Sequence, residues 1–220
     1  MARIARVVIP DYPHHIIHRG NRREKVFFSE DDKQAYLDFL IKQARKYEIE
    51  FWAYCLMDNH VHFIAVPKKE NSFARGLAQT HKEYTRRINF RNNWRGHLWE
   101  GRFKSCVLSE KHLYAAVRYV ERNPVRAGIV KKAEDYHWSS AKAHIYRTQD
   151  KILSDNFMIE EIANWKDYLS DDSDDKKGKF FVGHVDTGRP LGDEDFVKKL
   201  EGVVGRTLAR KKSGPKKKGN

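Results

Sequence analysis

Hydrophobic positions along the chain fall into segments of two different periods. Residues 14–19 (HHIIHR) are short and rich in β-branched side chains, and Gly20-Asn21 closes them as a turn, which predicts a first strand. Ser29 followed by Glu30-Asp31-Asp32 is a helix start. Tyr36, Leu40, Gln43/Ala44 and Tyr47 then recur at helical spacing, so the first helix ends near Glu48. Residues 51–56 and 60–66 are apolar runs joined through Asp58-Asn59, and read as an antiparallel hairpin. From Ser72, the positions Phe73, Leu77, Thr80/His81, Tyr84 and Ile88 share one face of a second helix whose other side is basic. Residues 97–108 predict a fourth strand with Gly101 as a bulge. Ser109 then caps a third helix buried through Leu113, Ala116, Val117 and Val120.

The order β-α-β-β-α-β followed by a helix predicts an α+β, ferredoxin-like (split βαβ, RRM-like) antiparallel sheet, with the first and third strands at its centre. One sheet face is left for a ligand or for further helices. Residues 1–150 are expected to form this domain. Residues 151–205 form a C-terminal extension with an acidic linker (DDSDD, 171–175) and short helices, one of them carrying Phe196, Leu200 and Val203/Val204. Residues 206–220 are expected to be a disordered basic tail.

Charge and cysteine content narrow the class of partner. The net charge of +13 is uneven: residues 1–150 hold 28 Lys/Arg against 17 Asp/Glu, residues 151–205 hold 8 against 13, and the last 15 residues hold 7 and none. A folded part that is basic without its tail points to a polyanion such as nucleic acid. Two cysteines, Cys55 and Cys106, are too few for a disulfide framework. No apolar run is long enough for a membrane helix, and Pro10 interrupts the apolar start, so the expectation is a cytoplasmic protein without a membrane partner.

Histidines 60 and 62 stand on either side of Val61 in a strand that otherwise reads as core. Alternation sends both to one face, with Cα atoms roughly 6.5–7 Å apart, while Val61, Phe63 and Ala65 face the other way. Two imidazoles so placed can converge on one metal, although a lone His-x-His is equally served by hydrogen bonds to neighbours. In YVERNPVRAGIV (119–130), Tyr119 and Asn123 share a helical face, and Arg118 and Arg122 flank the tyrosine with charges suited to a phosphate. Asn123 also suits the cap of a helix begun by Pro124.

Five segments, RGNRRE (19–24), MDNHVHFIAVP (57–67), WEGRFKS (99–105), YVERNPVRAGIV (119–130) and YHWSSAKAH (136–144), together resemble the single-tyrosine HUH transposases, in particular their REP-associated branch. The resemblance covers residues 5–145. It implies a nuclease that cuts and rejoins single-stranded DNA, with Tyr119 as nucleophile, and with His60, His62 and Asn123 as ligands of magnesium or manganese. A 5′-phosphotyrosine intermediate is implied with it. It further implies hairpin DNA of REP-like palindromes as partner, read by a loop at Gly20, Asn21, Arg22 and Arg23. Arg102 and Lys104, with Trp99 and Phe103 between and beside them, offer charge and stacking surface to unpaired bases. His18, in a first strand unusually rich in histidine, is an alternative metal contact. The oligomeric expectation is a monomer or a homodimer. Two other readings compete: a non-catalytic RRM-like single-stranded nucleic-acid-binding module, and a metal nuclease without a covalent step.

Overall fold

The computed structural model describes residues 4–172 and 178–209. Four strands, β1 (His14–Arg19), β2 (Ile49–Met57), β3 (His60–Pro67) and β4 (Lys104–Val107), form one antiparallel sheet in the order β2-β3-β1-β4. The first and third strands are the central pair, as the split βαβ reading requires.

Helices α1 (Glu30–Tyr47) and α2 (Ser72–Asn92) pack on one face. Ser29 starts α1 by accepting a hydrogen bond from the Asp32 amide, with three acids in the first turn against the positive helix end, and Glu48 ends it in a left-handed conformation. Beneath these helices Val61, Phe63 and Ala65 are fully buried. Burial of a side chain such as Val61 or Phe63 contributes roughly 1.5–3 kcal/mol, which fixes the face β3 turns inward and hence the face its histidines occupy.

The other face receives α3 (Glu110–Glu121), the one-turn α4 (Asn123–Arg126) and, from the C-terminal extension, α8. Between α4 and α8 lie α5 (Ala141–Tyr146), α6 (Met158–Glu161) and α7 (Trp165–Ser170); α8 itself is Gly178–Thr187, and α9 (Glu194–Val204) follows. Glu121, at the end of α3 and fully buried, accepts from the Ser140 hydroxyl and from His144 Nδ1 at 2.6 Å. The segments 119–130 and 136–144 are therefore two halves of one buried contact.

Two expectations need correction. The fourth strand is four residues, not twelve: residues 97–103 run as a loop held at the end of β1 by a Gly20–Trp99 bridge and a His18–Glu100 hydrogen bond, and Gly101 turns at φ 41°. Residues 206–209 are packed, because Leu208 is buried with α9 and Arg206 donates to the carbonyls of Ala5 and Arg6. The remainder of the expected disordered tail, and residues 173–175 of the acidic run, lie outside the described residues.

Candidate active site on the open sheet face

Register decides which side chains meet. His62 lies opposite Ile17 on one side and Cys55 on the other, and His60 lies opposite Arg19 and Met57. Opposed residues share a face, so His15, Arg19, His60 and His62 all project toward α3. The imidazoles of His60 and His62 are 4.8 Å apart, and the Tyr119 ring stands 5.8 Å from His62 and 5.7 Å from His15. Histidine pair and tyrosine thus meet within one chain.

Hydrogen bonding orients the two rings alike. His60 Nδ1 donates to Asn59 Oδ1 at 2.6 Å, leaving Nε2 as the lone-pair nitrogen. His62 Nδ1 and His15 Nε2 share a hydrogen bond of 3.1 Å, while His62 Nε2 is buried with no partner among the described residues. Burial holds both imidazoles neutral, with His60 pushed down to about 3 and His62 well below its ordinary value. A neutral imidazole with one nitrogen tied to a neighbour and the other bare is the form that binds a metal. The pair therefore fits a divalent ion, although among the described residues no third His, Cys, Asp or Glu converges on it.

Tyr119 is only 6% exposed. Phe181 of α8 covers its ring at 5.2 Å, and Gly178 is close enough that a Cβ there would stand 3.2 Å from Tyr119 Cε2. From the other side the Arg126 guanidinium lies 3.9 Å from the ring centroid. Burial raises the phenol pKa; Arg126 and Arg19 oppose that rise and do not cancel it.

The remaining predicted residues divide into three groups. Asn123 is at the α3–α4 junction, where its amide donates to the carbonyls of Tyr119 and Val120 and accepts from Arg126 at 2.7 Å, so it braces the tyrosine helix. Arg118 and Arg122 turn to the extension: Arg118 pairs with Asp171 and lies over Tyr168, and Arg122 donates to the Leu169 carbonyl. Gly20, Asn21, Arg22 and Arg23 form a tight turn clamped to the β2–β3 turn, with Gly20 N donating to Asn59 O and Asn59 Nδ2 donating to Arg23 O. The glycine is required there, since a Cβ would come within 2.2 Å of the Glu24 carbonyl oxygen. Arg102 is exposed on the 97–103 loop, and Lys104 is paired with Glu100 and Asp186. His18 does not reach the pair: it projects from the opposite face of β1, toward α2.

Sequence reasoning missed His15, Arg19 and Arg126. The first two were readable from alternation in β1 once its pairing with β3 was assumed. Arg126, seven positions after Tyr119, carries two turns of helix spacing as its signal.

A split βαβ sheet that turns a His-x-His pair and a helix-borne tyrosine onto one face defines the HUH-type, single-tyrosine class of DNA transposase. The description "Transposase IS200 like" matches residues 9–123, more than half of the chain and inclusive of His60, His62 and Tyr119. The chain belongs to the IS200-like transposase family. It is 24% identical over 128 residues to a REP-associated tyrosine transposase of Escherichia coli strain K12, covering 58% of this chain and 74% of that one. Its fold is similar to a solved REP-associated tyrosine transposase bound to a REP hairpin, with TM-score 0.58 and 20% identity over 71% of this chain and 93% of the other. Among the described residues no helix is long and apolar enough to cross a membrane.

Proposed function

We propose that this transposase is a divalent-metal-dependent endonuclease and strand transferase for single-stranded, hairpin-forming DNA of the REP-like kind, working through a covalent 5′-phosphotyrosine on Tyr119. The observation that carries the reading is the bare, buried Nε2 of His62 beside the ring of Tyr119. The name of the solved relative bound to a REP hairpin supports the choice of substrate.

His60 and His62 would hold the ion, and two imidazoles suit manganese at least as well as magnesium. When bound, the ion supplies Lewis-acid polarisation of the scissile phosphate. The chain's own residues do the rest. Tyr119 Oη forms a bond to phosphorus as the P–O3′ bond breaks; the phenol gives up its proton and the departing 3′ oxygen gains one. Arg126 and Arg19 favour the phenolate against the cost of its burial. The phosphodiester energy is kept in the tyrosyl ester, so rejoining by a 3′-hydroxyl needs no ATP. Asn123 and Arg126, both bonded to the Tyr119 carbonyl, hold the nucleophile's helix end in place.

The test is to incubate the protein with a hairpin-bearing oligonucleotide and manganese and look on a denaturing gel for a protein–DNA species. The expected species needs His60, His62 and Tyr119. Cleavage that survives in Tyr119→Phe would instead establish a hydrolytic nuclease, and binding without any adduct across varied hairpins a non-catalytic module.

A further inference from the structure

On the side of the sheet away from Tyr119, α2 and the 97–103 loop enclose a groove of about 640 Å³. Its origin is legible in α2, which carries two stripes. Phe73, Leu77, Tyr84 and Ile88 enter the core, whereas Ala74, Ala78, Thr85 and Asn89 face the loop and are too small to close the space. The floor is Trp99, 5% exposed, stacked on His18 at 4.9 Å and 4.6 Å from His81. Both nitrogens of each histidine already have partners, but Trp99 Nε1 is buried without one among the described residues. Around the mouth stand Arg6, Lys82, Arg86 and Arg102, and among the described residues no carboxylate lines the groove.

An aromatic floor, a small-residue wall and a wholly cationic rim match an unpaired base with its phosphates. Arg6 is occupied with the Phe103 carbonyl and ring, but an uncharged apolar ligand would leave Lys82, Arg86 and Arg102 without purpose. The groove is also joined to the catalytic face through backbone: Glu100 N donates to Arg19 O, Asn21 N donates to Leu98 O, and Gly20 bridges Trp99. A strand lying over the end of β1 therefore passes from one to the other.

We propose that this groove holds an unpaired nucleotide of the DNA strand flanking the hairpin, its base over the Trp99 floor and its phosphates on Lys82, Arg86 and Arg102. The proposal rests on the DNA reading above and adds a second contact on the opposite face of the sheet.

The experiment uses the full chain carrying Tyr119→Phe, so that DNA is not consumed, and fluorescence anisotropy with two labelled oligonucleotides: a hairpin with a short single-stranded flank and the same hairpin blunt. The flanked form is expected to bind more tightly. Ala78→Trp, which fills the groove from an exposed helix position without changing charge, is expected to weaken the flanked form about tenfold and leave the blunt form unchanged. Arg86→Gln is expected to act in the same direction and to flatten the salt dependence of the flanked form. An unchanged flank preference in both variants, with both hairpins still bound, overturns the groove while leaving the DNA reading intact. Failure of the unsubstituted groove to bind either hairpin overturns both. Competition by a free deoxynucleotide as effective as by the flank also overturns the proposal, marking a small-molecule site.

Discussion

The two faces of β1 and β3 carry histidines in equal burial and opposite condition. On the α2 side, His14 donates from Nδ1 to the Tyr12 carbonyl and accepts from the Ile9 amide at Nε2. On the same side Tyr36 donates to His81, His81 to His18 and His18 to the Glu100 carbonyl, one proton per link. On the Tyr119 side, His62 Nε2 and His15 Nδ1 are buried and bare. All five rings have depressed pKa values with burial as the chief cause. Burial and a lowered pKa therefore do not distinguish the two faces of the sheet; the unsatisfied nitrogens do.

The largest effect should come from removing one ring on each face. His62→Leu is expected to lower adduct formation by 10²-fold or more, on the order of 3 kcal/mol in the barrier. His18→Leu should leave the adduct largely intact but cost about 1–3 kcal/mol of stability, because His81 and the Glu100 carbonyl lose their partner. Parallel gel assays and urea titrations check both. If His18→Leu is the variant that abolishes cleavage, the division between the faces is wrong.

Acid should reveal the cost of burying these rings next. His14 and His18 are held at about 4 against 6.5 for a free imidazole. The unfolded chain then binds more protons than the folded one, so the stability present above pH 6.5 is lost as pH falls toward 4. The loss reaches about 3 kcal/mol for each ring once both states are protonated. Urea midpoints from pH 7 to pH 4.5 measure it, and His14→Gln should reduce the slope. A flat profile would mean that these chains of hydrogen bonds open to water.

Much of this division was legible in the sequence. Alternation alone placed Val61, Phe63 and Ala65 inward and His60 and His62 on the other side, since a period of two admits no other arrangement once one face is core. Tyr119 and Asn123 were legible from helical spacing. The roles of Arg118 and Arg122 were not: the partners that claim them, Asp171 and Leu169, lie about 50 residues further on, in a segment whose short helices α5 to α7 have too few turns to show a period. The fourth strand was overread for a related reason. Trp99 and Phe103 are buried like strand residues, but they are held by ring contacts and one bridge rather than by a ladder.

A smaller effect is expected at His15, whose only role toward the pair is to orient His62. His15→Leu should weaken manganese binding about 10–100-fold while leaving the fold intact, as loss of an outer partner of a ligating histidine does. Calorimetric titration of manganese into the protein separates this from direct ligation, which would remove binding altogether. If binding is unchanged, the His15–His62 hydrogen bond is structural only, and the two faces differ less than their unsatisfied atoms suggest.

The smallest effect tests what lies over the tyrosine. Lys104 and Asp186 form a half-exposed pair at 3.0 Å that ties β4 to α8, the helix whose Phe181 covers Tyr119. Asp186 also opposes ionisation of the phenol. Asp186→Asn removes both influences. An exposed pair of this kind contributes at most about 1 kcal/mol, so the melting temperature should scarcely change. Adduct formation should rise about two- to threefold, because one negative charge near the phenol is gone and Lys104 keeps only Glu100 as an acidic partner. A rise of a hundredfold would be too large for one screened pair. It would mean that docking of α8 sets the rate, and that the Tyr119 face differs from the α2 face in its cover as much as in its unsatisfied nitrogens.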